Sequence, residues 1–218
     1  MERIIIYGIG DLAFQLYRYL SLDNRYKVDA FSVEKEYLKE KEFLGLPVVA
    51  FETIETIYAK DDYKMLVCVG YNSMNQTRAR IFSAIIKKGY EIINYIHPLA
   101  TVLSEDIGFG NIILENANIS IGAKIGNGNI IYNNVTVCHD VHIKDFNFFA
   151  PSSCVLGFCQ IDKYCFIGAN ATIRNNVSIS KGCLIGANSF IRDNTKNYSV
   201  YVPEKTRILN KSSIDIEI

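Results

Sequence analysis

From Ile107 onward the chain carries an apolar residue every six positions without a gap, from Ile107, Ile113 and Ile119 through Val137, Ile143, Phe149 and Val155 to Ile185 and Ile191. A second register lies two residues before it, in which Ala117, Ala123, Asn129, Val135, Val141, Asn147, Ser153, Cys159, Cys165, Ala171, Val177, Cys183 and Ser189 are all small or medium-sized. Period six fits neither a 3.6-residue helix nor a two-residue strand alternation. It suits short strands separated by corners, each sending one large side chain inward. Three such strands close a triangular coil of 18 residues, so Ile107, Ile125 and Ile143 stack on one face, Ile113, Ile131 and Phe149 on another, and Ile119, Val137 and Val155 on the third. At one corner the same spacing gives Asn116, Asn134, Ser152, Asn170 and Asn188, where Asn tolerates a left-handed backbone and bonds to its stacked copy. A parallel β-helix of about five coils follows.

The residues before the repeat alternate between strand and helix patterns, as in an α/β unit. Ile4 to Tyr7 reads as a buried strand ending at Gly8-Ile9-Gly10, and Asp11 begins a helix to about Leu22 with Leu12, Leu16, Tyr19 and Leu20 on one face. Strands are expected at 27–32, 65–69 and 92–95, and helices at 51–58 and 73–88, the latter closed by Gly89. His97-Pro98 marks the passage into the repeat. The division is therefore 1–96, 97–199 and a C-terminal extension over 200–218.

Charge changes this picture only by exclusion. The 218 residues hold 23 basic and 23 acidic side chains, so no electrostatic footprint for nucleic acid appears. No apolar run is long enough to insert in a membrane, and the start of the chain lacks the pattern of a secretory signal, so a cytoplasmic protein is expected. The six cysteines form no CxxC pair; Cys159, Cys165 and Cys183 fall in the small register and read as packing, and no metal is expected.

Gly8-x-Gly10-x-x-Ala13, between a strand and a helix, matches the glycine fingerprint that admits a pyrophosphate to a helix N-terminus. About 95 residues suffice for a mononucleotide-binding half and not for a full dinucleotide domain, which sets a nicotinamide dehydrogenase aside. The remaining readings are a nucleotide-linked ligand and a plain turn. A ligand there would meet Gly8, Gly10 and Asp11, with Glu34 and Gly70 lining the pocket and Asn72 and Asn75 as hydrogen-bond partners.

A small α/β unit opening on YGxG, followed by an uninterrupted hexapeptide repeat with a His in its middle, resembles the sialic acid O-acetyltransferase family of bacterial sugar acetyltransferases. That family includes the enzymes that N-acetylate UDP-linked 4-amino sugars for bacillosamine synthesis. The resemblance implies a Rossmann-like N-terminal half domain on a left-handed β-helix, a homotrimer with active sites between subunits, acetyl-CoA as co-substrate and a nucleotide-linked sugar as acceptor. It also implies that the corner pair His139-Asp140 removes the acceptor's proton. An imidazole, with an ordinary pKa of about 6.5, suits that task near neutral pH. His139 lies two residues past the inward Val137, and Gly157, one coil later, leaves room beside the ring. As a plain corner residue His139 would do nothing chemical; His142 and His97 read as a solvated corner and a linker residue.

Acetyl-CoA is expected over the later coils near Gly157, Ala169 and Ala187, with Lys205 toward its phosphates. Three departures from the family pattern point to a different nucleotide or acceptor. The turn reads Asp11-Leu12-Ala13, with a single acid, Glu34, after the second strand; Phe148 stands where some members have a second His; and Tyr201-Val202-Pro203-Glu204-Lys205 keeps the Pro and Lys of the terminal motif without its Gly. Direct N-acetyl transfer to a nucleotide-linked amino sugar for surface-glycan synthesis is the leading expectation. Its rivals are O-acetylation at the same site, a zinc enzyme of the γ-carbonic anhydrase type, which needs three His ligands, and a non-catalytic trimer.

Overall fold

The computed structural model describes residues 1–206, 208, 210 and 214. Its N-terminal part contains β1 (Glu2–Tyr7), α1 (Asp11–Leu22), β2 (Tyr26–Val33), β3 (Glu42–Phe43), β4 (Leu46–Ala50), β5 (Lys64–Val67) and α2 (Gln76–Lys87). The strands form one sheet in the order β3-β4-β2-β1-β5, parallel except for the β3–β4 hairpin. Ile4, Ile5 and Ile6 are completely buried because β1 is covered on both faces. Ile4 and Ile6 pack with Leu12, Leu16 and Leu20 of α1, while Ile5 and Tyr7 pack with Ile81, Phe82 and Ile85 of α2.

Several boundaries differ from the sequence reading. The helix expected over 51–58 is a 3₁₀ turn, Phe51–Thr56, in a stretch where two Thr and one Ile lower α-helical propensity and Thr56 Oγ1 donates to the Thr53 carbonyl. The helix expected from Ser73 begins at Gln76, since Ser73, Met74 and Asn75 adopt φ of 51°, 50° and 65°. The β3–β4 hairpin turns on Leu44 and Gly45, both at positive φ. Instead of a strand over 92–95, Ile92 makes one bridge to Met65, and Tyr95–Ile96 crosses over to pair with Ile112–Ile113. Asn94 fixes that crossing: its Nδ2 donates to the Gly108 carbonyl and its Oδ1 accepts from the Asn111 N–H, both at 2.7 Å.

The repeat folds as a parallel β-helix. Two-residue strands, 18 residues apart except at the ends of the stack, form sheets of seven strands (95–96 to 200–201), six strands (101–102 to 190–191) and five strands (106–107 to 178–179). Hexapeptide spacing with three parallel sheets and few helices fits a left-handed coil. The inward residues from Ile113 to Ile191 are buried, and Phe149 sits in register between Ile131 and Ile167; Ile107, in the first coil, is only half-buried. Ile143→Ala, in the middle of its stack, is expected to cost about 2–5 kcal/mol through lost burial and a cavity, measurable by denaturant unfolding.

Asn116, Asn134, Ser152, Asn170 and Asn188 do adopt left-handed corners, with φ between 55° and 61°. Their contact with the preceding coil is through the backbone, as in Asn188 N–H to the Ala169 carbonyl at 2.8 Å. The side-chain ladder runs elsewhere, through fully buried Asn111, Asn129 and Asn147: each Oδ1 accepts the N–H one coil later, ending on Cys165 at 2.7 Å. All six cysteines are free thiols, and Cys159, Cys165 and Cys183 are buried; burial pushes the Cys165 thiol up to about 12, in keeping with packing. No helix among the described residues is long and apolar enough to cross a membrane.

The α/β unit lies over the seven-stranded face. Leu12, Leu16 and Tyr95 share one core cluster with Ile112, Leu114, Ile130, Phe148 and Ala150. One side of the triangular prism is thereby covered.

Candidate functional site

A cleft of about 550 Å³ opens where β1 and β5 end, the place where ligands of open α/β sheets collect. Gly8, Gly10, Asp11 and Leu12 line one wall, Cys68, Val69, Gly70, Tyr71 and Asn72 another, and Tyr132 and Phe148 of the β-helix the floor. Gly8 is required by the backbone itself: its φ is +115°, and a Cβ there would come within 2.7 Å of the Cys68 carbonyl oxygen. Gly10 and Gly70 are different, since a Cβ on either would meet nothing within 4 Å and neither has a left-handed φ. The fold does not need glycine at these two positions, but any side chain there would narrow the cleft.

The cleft is rich in unpaired donors. The Phe14 N–H closes the first turn of α1 on Gly10, so the earlier N–H groups of that helix have no intrahelical partner. Among the described residues no intrachain hydrogen bond uses the N–H of Gly70, Tyr71 or Asn72. Such an array, at the positive end of a helix dipole, suits an anion. Tyr71 stands edge-on to Phe148 and Phe166 at 5.0 and 5.1 Å, and those two rings stack at 5.2 Å. Phe148 thus belongs to the cleft floor.

A second recess of about 260 Å³ continues from the first and shares Gly8, Val69 and Asn72 with it. Glu34 lies there. Arg80 of α2 grips it with both terminal guanidinium nitrogens, Nη1 and Nη2, at 2.5 and 2.8 Å, and holds its carboxyl below the usual carboxylate range. Asn75 needs correction as a cleft residue. It is completely buried, and its Nδ2 donates to the Cys165 carbonyl at 3.1 Å, because the left-handed turn over 73–75 swings the side chain onto the β-helix.

Sequence reading missed Arg78. Its side chain is 1% exposed and donates from Nε to the Gly128 carbonyl (2.8 Å), from Nη1 to those of Val69 (3.2 Å) and Gly70 (2.6 Å), and from Nη2 to that of Asn147 (3.1 Å). Burial lowers the guanidinium to about 9, which leaves it protonated at neutral pH.

His139 occupies the corner between strands 136–137 and 142–143. Asp140 follows at φ +55°, and its Oδ2 lies 3.0 Å from His139 Nδ1, so the carboxylate reaches the ring. A Cβ on Gly157 would stand 2.9 Å from the ring atoms Cε1 and Nε2, and one on Gly122 would stand 2.5 Å from Asp140 Oδ1. Glycines one coil to either side therefore make the space for both side chains. Phe158 meets the imidazole edge-on at 5.0 Å. With Nδ1 engaged, Nε2 has no partner among the described residues, and the ring is about half exposed. A fixed imidazole with one free nitrogen in open space can exchange a proton with a ligand.

His142 lies on a strand face between Lys124 and Gln160, and His97 Nδ1 accepts the Leu99 N–H near the crossover. The other cofactor candidates do not gather beside His139. Ala169 and Ala187 stack at the corner of Asn170 and Asn188, the first half-buried and the second exposed, and Lys205 is exposed beyond the last strand. The neighbouring Gly168 and Gly186 serve coil stacking, since Cβ atoms there would press on Ala187 N at 2.5 Å and the Tyr201 carbonyl oxygen at 3.0 Å. The extension expected over 200–218 contributes the last strand, Val200–Tyr201, and lies mostly outside the described residues from 207 onward.

Residues 158–193 match the bacterial transferase hexapeptide family (six repeats). No curated protein matches the chain in sequence. Among solved structures, the acetyltransferase domain of PglB from Neisseria gonorrhoeae FA1090 superposes with a TM-score of 0.80 at 22% identity, covering 92% of this chain and 96% of that one. WeeI from Acinetobacter baumannii AYE gives 0.82 at 21% identity over 94% and 99%. A His-to-Asn variant of perosamine N-acetyltransferase from Caulobacter crescentus, in complex with CoA and GDP-perosamine, gives 0.79 at 21% identity over 90% of each chain. Likeness at this level shows a common fold.

Proposed function

We propose that the chain is an acetyl-CoA-dependent N-acetyltransferase acting on a nucleotide-linked amino sugar, in the cytoplasm, for bacterial surface-glycan synthesis. The observation that carries this reading is the His139-Asp140 corner, where two glycines make room for a paired imidazole whose Nε2 has no partner among the described residues. Residues 1–96 act as a Rossmann-like half domain holding the nucleotide-sugar, residues 97–199 as a left-handed β-helix acyltransferase domain, and 200–218 as an extension. The ligands held by proteins of similar fold, acetyl coenzyme A by the PglB domain and CoA with GDP-perosamine by the Caulobacter enzyme, support the choice of both substrates.

In the proposed reaction the sugar amine attacks the thioester carbonyl, an N–C bond forms and the C–S bond breaks. His139 Nε2 accepts the amine proton and passes it to the departing CoA thiolate, so CoA leaves as a thiol and the imidazole is neutral again; Asp140 holds the ring through Nδ1. The diphosphate lies against the N–H groups at Gly10, Asp11 and Gly70, with Gly8 and Asn72 lining the cleft and Glu34, held by Arg80, in the recess beyond. Asn75 supports this loop from behind.

We read the assembly as a homotrimer, and where these parts lie supports a site shared between copies. The α/β unit covers the seven-stranded face, whereas His139 is on the opposite edge, between the six- and five-stranded faces. One chain cannot bring its own cleft to its own His139, so a second copy completes the site. The same closure accounts for the separation of Gly157 from Ala169, Ala187 and Lys205: acetyl-CoA would lie between copies and touch one group on each.

The test is thiol release from acetyl-CoA with UDP-, dTDP- and GDP-linked 4-amino and 3-amino sugars, with mass spectrometry of the product. Release with an aminated member, and an acetamido product, is expected. An ester product would move the reading to O-acetylation. No release with any member, together with no CoA binding by calorimetry, would overturn acyl transfer.

A further inference from the structure

Arg78 is a buried cation with no anion beside it among the described residues. No carboxylate pairs with it among the described residues, and its acceptors are four neutral carbonyls on three separate stretches: Val69 and Gly70 in the cleft wall, Gly128 at a β-helix corner, and Asn147 in the buried ladder. A staple of this shape needs hydrogen bonds but no net charge, and holding a charge away from water is costly unless something opposes it. The two carbonyls at its Nη1 belong to Val69 and Gly70, which also line the cleft, so the charge lies directly behind the wall that an anion would touch.

We infer that Arg78 is a positioning residue whose buried positive charge, acting through the Val69-Gly70 backbone, is the counter-charge for the diphosphate of the bound nucleotide-sugar. The inference rests on the cleft being the nucleotide site. It makes the guanidinium selective for phosphate charge without touching phosphate, and it ties the cleft wall to the β-helix at the same time. A purely structural staple would alter binding of charged and uncharged ligands alike; a counter-charge distinguishes them.

The experiment is calorimetric titration of GDP, GMP and guanosine, and of UDP, UMP and uridine, into the unmodified protein, Arg78→Met and Arg78→Lys. Arg78→Met is expected to reduce the diphosphate-to-nucleoside affinity ratio about tenfold, with nucleoside affinity little changed. Arg78→Lys is expected to keep the ratio while lowering thermal stability, because the charge remains and the fork of hydrogen bonds does not. An unchanged ratio in Arg78→Met overturns the inference. Should that variant fail to fold, loss of the ratio in Arg78→Lys overturns it and retention supports it. If neither GDP nor UDP binds the unmodified protein, the cleft reading and this inference fall together; binding with an unaltered ratio removes the inference alone.

Discussion

His139→Ala is expected to lower acetyl transfer by roughly 10²–10⁴-fold, the range typical of a lost general base. Thermal stability and CoA affinity should hardly move, because the ring is about half exposed and its contacts are one carboxylate, one edge-on phenyl ring and the space above Gly157. Asp140→Asn should cost less than the His change, since an amide still accepts a hydrogen bond from Nδ1–H but offers no charge to the imidazolium. His142→Ala should leave turnover intact, its side chain lying between Lys124 and Gln160 on a different face. Steady-state thiol release together with a melting curve reads all three, and an equal loss from His142→Ala would transfer the role.

Gly10→Asp should move stability and binding in opposite directions. Gly10 is the N-cap of α1, with φ −89° and ψ −170° and no side-chain cap, so Asp fits the backbone there and can accept an N–H of the first turn. Stability should hold or rise by a few tenths of a kcal/mol. The same carboxylate would enter the cleft beside the N–H groups offered to the diphosphate, where like charges about 4 Å apart at an effective dielectric near 20 weaken binding by at least roughly 10²-fold. A melting curve and a titration with the diphosphate that binds the unmodified protein measure both. Loss of binding through unfolding would show as a fallen midpoint, contrary to this account.

The β-helix was legible because one rule, a large apolar residue every sixth position, repeats through Ile113, Phe149 and Ile185 and has a single structural solution. His139 and Gly157 were legible for the same reason: once the coil is 18 residues, neighbours across coils are fixed. The α/β unit has no such repeat, and its surprises are local. Leu44 at φ 54° carries none of the Asn or Asp signal expected of a hairpin turn, and Met74 at φ 50° none of the glycine signal of a left-handed one. Arg78, a polar residue on a helix that reads as amphipathic, looks solvent-facing, and Asn75 looks free to meet a ligand, until the β-helix is placed against them. The Asn ladder was half visible: Asn129 and Asn147 stood in the small register, but nothing in spacing distinguishes a corner Asn from one turned inward.

The central claim is that His139 of one copy acts on a sugar held in the cleft of another, and mixed oligomers test it most directly. His139→Ala and Gly10→Asp chains, each nearly inactive alone at substrate well below KM, would be dissociated, mixed in equal amounts and reassembled. In a closed ring each site takes its imidazole from one chain and its cleft from the next, so about a quarter of the unmodified activity should return. If mixing restores nothing while the two chains demonstrably co-assemble, the base and the cleft do not come from different copies, and the account is contradicted.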